Sequence, residues 1–264
     1  MAVEDVQATG MIQKFESEFI PRIQAFAKGI EGLDTSGIPE PHLLHWGVDY
    51  ENAPVRIGIL GRDTRSWGDM PAFTEAVGSD PREALYRGKG EFDSLDFTGW
   101  TNNFGRTFWD TSMKILAAVH GVEDWKSLKR QSVTAPLKSF FWANVNSVER
   151  FEASPSANGV PWDVWHQVKR ASEEHLDSFR AILNILQPHV VFLLNWDPGE
   201  HFLDFPLSWT EFGNHQAEAT DPVTGCLILA TAHPTWLNQN GLYDEALAGL
   251  IKRANKAMHS TDLA

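Results

Sequence analysis

Four short apolar runs, each closing on polar residues, constrain this chain more than any other feature. They are VRIGIL at 55–60, KSFFWA at 138–143, HVVFLL at 189–194 and CLILATA at 226–232. The first ends in Gly61-Arg62-Asp63 and the second in Asn144-Val145-Asn146. The third ends in Asn195-Trp196-Asp197 and the last in His233-Pro234-Thr235. Runs of this length and composition read as buried strands. Helical patterns separate them, over 103–119 and over 161–186, the latter opened by Pro161, and a final helix is expected over 242–257. Strand and helix in alternation predict a mostly parallel sheet with helices on both faces. Ligands of such sheets sit outside the carboxyl ends of the strands, where all four polar ends would meet.

The remaining chain adds little that competes with this plan. Ile12, Phe15, Phe19, Ile23 and Phe26 recur at helical spacing and predict an amphipathic helix disturbed at Pro21. Residues 68–101, rich in Gly, Asp and Pro, read as a long loop with short helical pieces, a kind of segment that is often functional. With no internal repeat or linker, one domain spanning 1–264 is expected, carrying an N-terminal helical extension over 1–50. The single cysteine, Cys226, excludes disulfides, an iron–sulfur cluster and a cysteine-built structural zinc, and reads as a buried inert thiol. His42 and His45 lack partners in sequence and read as core or loop residues, so neither metal nor cofactor is expected. No basic leader followed by an apolar stretch opens the sequence, and no apolar run is long enough for a membrane span. A cytoplasmic monomer is the expectation.

A net charge of −13 argues against a surface uniformly coated for nucleic acid, yet the charge is uneven. Residues 126–150 hold Lys126, Lys129, Arg130, Lys138 and Arg150 against Glu149, whereas 197–221 hold six carboxylates and no Lys or Arg. Solvated faces are the ordinary explanation for either segment; a local DNA-facing surface is the functional one.

GRDTRS at 61–66, WANVNSV at 142–148, VVFLLNW at 190–196 and AHPTWLN at 232–238 together resemble the ordered motifs of the uracil-DNA glycosylase superfamily. The resemblance covers about 180 residues and omits the first 50 and the 68–101 loop. It implies a three-layer α/β/α sandwich around a four-stranded, mostly parallel sheet, and hydrolysis of a base–sugar bond in DNA. That reaction builds positive charge on the sugar and negative charge on the departing base. A carboxylate beside the sugar, Asp63 by resemblance, stabilises the first and orients water. A neutral imidazole, His233, donates to the base oxygen as an oxyanion donor does. The Asn144 carboxamide, with Asn146 as its competitor, reads the edge of the flipped base, and backbone N–H groups after Gly61, beginning at Arg62, help to hold it. Leu237, or Trp236 beside it, matches the family's wedge into the duplex. Thr235, Trp236, Leu237 and Asn238 are thus expected to face DNA together with Lys126, Lys129 and Arg130.

The family pattern breaks after Asp63. The uracil enzymes continue with Pro-Tyr-His, the tyrosine walling off carbon 5 of uracil; here Thr64, Arg65 and Ser66 follow. The resemblance therefore implies a pyrimidine enlarged at carbon 5, such as a modified viral cytosine excised in antiviral defence, with Arg65 reaching a phosphate or the bulky group. Asn238 stands where a phosphate-contacting serine is common. Phe92, Phe97 and Trp100 are candidates for the base-stacking aromatic. Two alternatives remain: a uracil-excising repair enzyme, and a non-catalytic protein that binds DNA or a partner on the same fold. Taken singly, Asp63 is equally a helix cap, Asn144 and His233-Pro234 are turn formers, and Trp236-Leu237 are core.

Overall fold

The structure is a computed structural model that describes residues 10–62, 68–89, 92, 106–130, 135–149, 159–195 and 204–260. In chain order, α1 (Gly10–Gly29) leads to β1 (His45–Trp46), β2 (Ile57–Gly61), α2 (Met70–Ser79) and α3 (Pro81–Leu85). Next come α4 (Arg106–Val119), α5 (Trp125–Arg130), α6 (Ala135–Lys138) and β3 (Phe140–Asn144). Then follow α7 (Trp162–His175), α8 (Phe179–Leu186), β4 (Val190–Leu193), β5 (Thr210–Gly213) and β6 (Gln216–Thr220). β7 (Leu227–Thr231), α9 (Pro234–Gln239) and α10 (Tyr243–Ser260) complete the described elements. The contacts divide the chain into two compact units, one of 1–43, 63–87 and 144–186, the other of 44–62, 88–143 and 187–264.

The second unit carries the sheet, in the order β1-β3-β2-β4-β7-β6-β5. The α/β class holds, and among the described residues the strand count is seven where four were expected. The four strands expected from the apolar runs are the four central neighbours β3, β2, β4 and β7. β2 pairs with β4 and β4 with β7 in parallel, while β1, β5 and β6 add antiparallel pairings toward the two edges. Alternate residues Ile57 and Ile59, Phe140 and Trp142, Val190 and Phe192, and Leu229 form one buried cluster with Met113, Ile115 and Leu116 of α4 and Leu250 and Ala254 of α10. Each such side chain contributes about 1.5–3 kcal/mol on burial, so this packing dominates the unit. The intervening Leu60, Phe141, Val191 and Ile228 are buried as well, which is why the strands read as continuous apolar runs. Gly58 interrupts β2 because the Phe141 ring occupies the space that a Cβ there would take.

The β5–β6 hairpin escapes a propensity reading. Its buried positions are Gln216, Ala217 and Ala219 rather than β-branched residues, and Asn214-His215 is its turn. Pairing with β7 supplies what propensity does not.

The first unit is helical. Met11, Phe15, Phe19, Ile23 and Phe26 form the buried stripe of α1, with Phe15 and Phe19 rings 4.8 Å apart and Phe26 edge-on to Phe73 at 6.3 Å. α1 runs on through Pro21, contrary to the expected disturbance. Ser17, whose carbonyl loses its intrahelical donor there, is exposed beside an exposed Pro21, which leaves that carbonyl on the solvent side of the helix. The helix expected over 161–186 is two helices. The Ser172 carbonyl accepts both Leu176 and Asp177 N–H groups, and Ser178 Oγ then caps α8 by accepting from the Ala181 N–H at 3.2 Å. Among the described residues, no helix is long and apolar enough to cross a membrane.

Candidate active site

Parallel pairing of β2, β4 and β7 brings Leu60, Leu193 and Ala230 into register, so these strands finish at one edge of the sheet. Buried Gly61 and half-buried Arg62 end the first, half-buried Asn195 follows the second, and Ala232-His233 follow the third. A bond from Leu194 N–H to the Leu60 carbonyl at 2.9 Å carries the ladder past β4 itself.

At the third end, His233 is the N-cap of α9, with Pro234 at the first helical position. Its Nδ1 accepts the Thr235 N–H at 3.2 Å. An accepting Nδ1 carries no proton, so in this arrangement the ring is the neutral tautomer with its hydrogen on Nε2. Protonating Nδ1 would turn the acceptor into a donor facing another donor and break the cap. The local fold thus holds a neutral imidazole by its Nδ1.

The rest of α9 divides by exposure. Thr235 and Asn238 are exposed, and Trp236 is 39% exposed, its ring edge-on to the His215 ring at 4.5 Å. Leu237, expected to face DNA, is 2% exposed and packs with Ala232, Ala246, Leu242 and Tyr243, so here it anchors the helix to α10. Phe92 is likewise a core residue at 1% exposure, 5.5 Å from the Phe140 ring, and not a base-stacking surface. Phe97 and Trp100 lie outside the described residues.

Asn144, the last residue of β3, belongs by its contacts to the helical unit, as does Asn146, and both are buried. The loop that holds them is fixed at Ser147 from two sides. Its carbonyl accepts the His42 N–H at 2.7 Å, and its N–H donates to the Asp177 carboxylate at 2.7 Å. Asp177 also accepts the Ser172 hydroxyl at 3.1 Å. The break between α7 and α8 therefore positions a carboxylate for this loop, which no local pattern announced.

Asp63, Thr64, Arg65 and Ser66 lie outside the described residues. In the helical unit, Gly68 sits just after them with φ of 55°, and a Cβ at Gly68 would overlap the Glu40 carboxyl group. Glu40 is buried and paired with Arg87 at 2.8 Å. Asp69 then caps α2 by accepting the Ala72 N–H at 3.1 Å.

Of the basic segment, Lys126 is exposed on α5, and the side chains of Lys129 and Arg130 lie outside the described residues. Ring–cation contacts link α5 to α10: Lys114 Nζ lies 4.7 Å from the Tyr243 ring and 5.4 Å from the Trp125 ring, and Lys126 Nζ lies 5.9 Å from the latter. Tyr243 also meets the Thr111 hydroxyl at 2.9 Å. This strip and the His215–Trp236 contact were not visible in the sequence, since they join residues about 130 and about 20 positions apart.

His42 is fully buried, and desolvation pushes its pKa down to about 3. His45 is buried with its ring 5.9 Å from Phe92. Burial and then the Asp221 carboxylate push the Cys226 thiol far up, an inert group. Among the described residues, no cluster of three or more His, Cys, Asp or Glu is placed to hold a metal ion. No family model matches this chain, and no curated protein matches it.

Proposed function

We propose that this chain is a monofunctional DNA glycosylase that hydrolyses the N-glycosidic bond of a flipped-out pyrimidine and leaves an abasic site. The observation that carries the reading is the His233 cap: a neutral imidazole with Nε2–H, at the carboxyl edge of a parallel sheet, on the motif that resembles the glycosylase family. Water adds to the sugar carbon while the bond to the base nitrogen breaks and its electron pair leaves with the base. Asp63 orients that water and accepts its proton; His233 Nε2–H donates to the base oxygen on which charge accumulates. A donor already fixed in place stabilises the anion without reorganising. Asn144 reads the base, and the peptide N–H groups after Gly61 complete its polar lining. The base class proposed is a cytosine modified at carbon 5, on the strength of Thr64-Arg65-Ser66 where the uracil enzymes carry an aromatic wall. A role in antiviral defence fits that substrate.

The test is a panel of duplex and single-stranded oligonucleotides, each with one uracil, thymine, 5-hydroxymethylcytosine or glucosylated cytosine, followed by alkali to cleave abasic sites. Cleavage at a 5-modified cytosine supports the full reading. Cleavage at uracil alone keeps the glycosylase and overturns the enlarged pyrimidine. Tight binding without any base release assigns the chain to the non-catalytic class, whose support is its acidic total charge.

A further inference from the structure

The β5–β6 turn lies against the β7–α9 junction. The His215 carbonyl accepts the Ala232 N–H at 3.2 Å, one residue before His233, and the His215 ring meets the Trp236 ring edge-on at 4.5 Å. His215 holds a left-handed backbone, φ 53°, a conformation that histidine adopts more readily than most residues. Both rings are open to solvent, although exposed tryptophans are few among the described residues: Trp162 and Trp236 are the two. A hydrogen-bonded turn that holds one exposed ring against another is a rigid corner, with little side-chain freedom left to lose on binding.

The surroundings restrict what that corner accepts. Residues 222–243 contain no Asp, Glu, Lys or Arg, and neither do residues 212–217, in a chain of net charge −13. Asn214, Thr235, Asn238, Gln239 and Asn240 are exposed around the two rings. Amides and a hydroxyl offer donors and acceptors without repelling a polyanion, and an aromatic face stacks on any base. Within these two stretches a basic protein partner finds no carboxylate and a lipid surface no cation.

We infer that His215 and Trp236 form a two-ring platform on which a nucleotide neighbouring the excised one stacks, so that the β5–β6 hairpin is a second DNA-contacting element beside α9. This rests on the glycosylase reading and deepens it. Trp236 supplies the stacking face; His215 is a positioning residue that fixes the tryptophan's orientation.

The probe is a duplex with a tetrahydrofuran abasic analogue flanked by 2-aminopurine, whose fluorescence reports stacking. Parent protein is expected to change that fluorescence on binding. Trp236→Ala is expected to weaken binding by about ten- to a hundredfold and abolish the fluorescence change. His215→Asn, which tolerates the left-handed turn but lacks the ring, is expected to weaken it by about three- to tenfold and shift the bound fluorescence. Comparison with His215→Ala, which loses the ring and the turn preference together and is expected to bind no better than His215→Asn, separates ring from turn. Unchanged affinity and fluorescence in both Trp236→Ala and His215→Asn, with base release by the parent intact, overturns the platform and leaves the glycosylase standing. A parent that neither binds the probe nor releases any base removes both.

Discussion

The β7–α9 junction and the loop after β3 carry the two best-defined pieces of the candidate site, and they are held in opposite ways. At the junction, His233, Pro234 and Thr235 fix one another: the ring caps the helix, and the cap sets the ring's tautomer. In the loop, Asn144 and Asn146 are held through Ser147 by His42 and Asp177, about 105 residues before and 30 residues after it. A local device survives wherever its few residues fold. A long-range device exists only when the helical unit is complete, so damage there reaches Asn144 and Asn146 indirectly.

That contrast breaks most sharply at His233. His233→Asn keeps a good N-cap but removes the imidazole, and is expected to reduce base release by about 10²–10³-fold with thermal stability unchanged. His233→Ala is expected to lose the same activity and about 1 kcal/mol of stability as well, read by denaturant titration. Equal stability losses in the two variants would show that the cap is not what holds α9.

Asp177→Ala is the matching cut on the long-range side. It strips the Ser147 N–H and the Ser172 hydroxyl of their charged acceptor, an expected cost of about 3 kcal/mol in denaturant titration. Base release should fall with it, whereas Asp177→Asn, which keeps an acceptor oxygen, should recover part of both. Gly68→Ala places a Cβ against the buried Glu40 carboxyl group at φ 55°, with an expected loss of about 2 kcal/mol. Its effect on activity relative to stability shows whether the segment that begins at Asp63 depends on this anchor.

A further expected effect is a pH slope. Folding holds His42 neutral, with its pKa lowered from 6.5 to about 3, so below pH 6.5 the unfolded chain binds a proton that the native chain refuses. Stability from this residue is whole above pH 6.5 and falls by about 1.4 kcal/mol for each pH unit until about pH 3. His42→Leu should remove that slope in denaturant titrations between pH 6.5 and pH 5, and an unchanged slope would assign the acid sensitivity to other groups.

Periodicity and chain order were enough for the central sheet. Ile57, Ile59, Val190 and Phe192 bury whichever neighbour lies beside them, so their runs announced strands directly. His233-Pro234 at the end of CLILATA read only as a turn, whereas the structure opens α9 there with His233 as its cap. Leu237 and Phe92 went wrong because an apolar residue near a polar motif looks alike in sequence whether it faces solvent or the core. The β5–β6 hairpin and the break at Leu176–Ser178 had weak local signals overridden by pairing with β7 and by the Ser172 and Ser178 bonds.

By itself, then, the amino-acid order determined the α/β class, the four adjoining strands and the polar residues at their ends, because burial and capping act within a few positions. Only the tertiary structure decided that His215 meets Trp236, that Asp177 holds Ser147 and that Leu237 faces inward. Those contacts depend on how separate segments pack, and the free energy of each resides in a pair of residues, not in either alone.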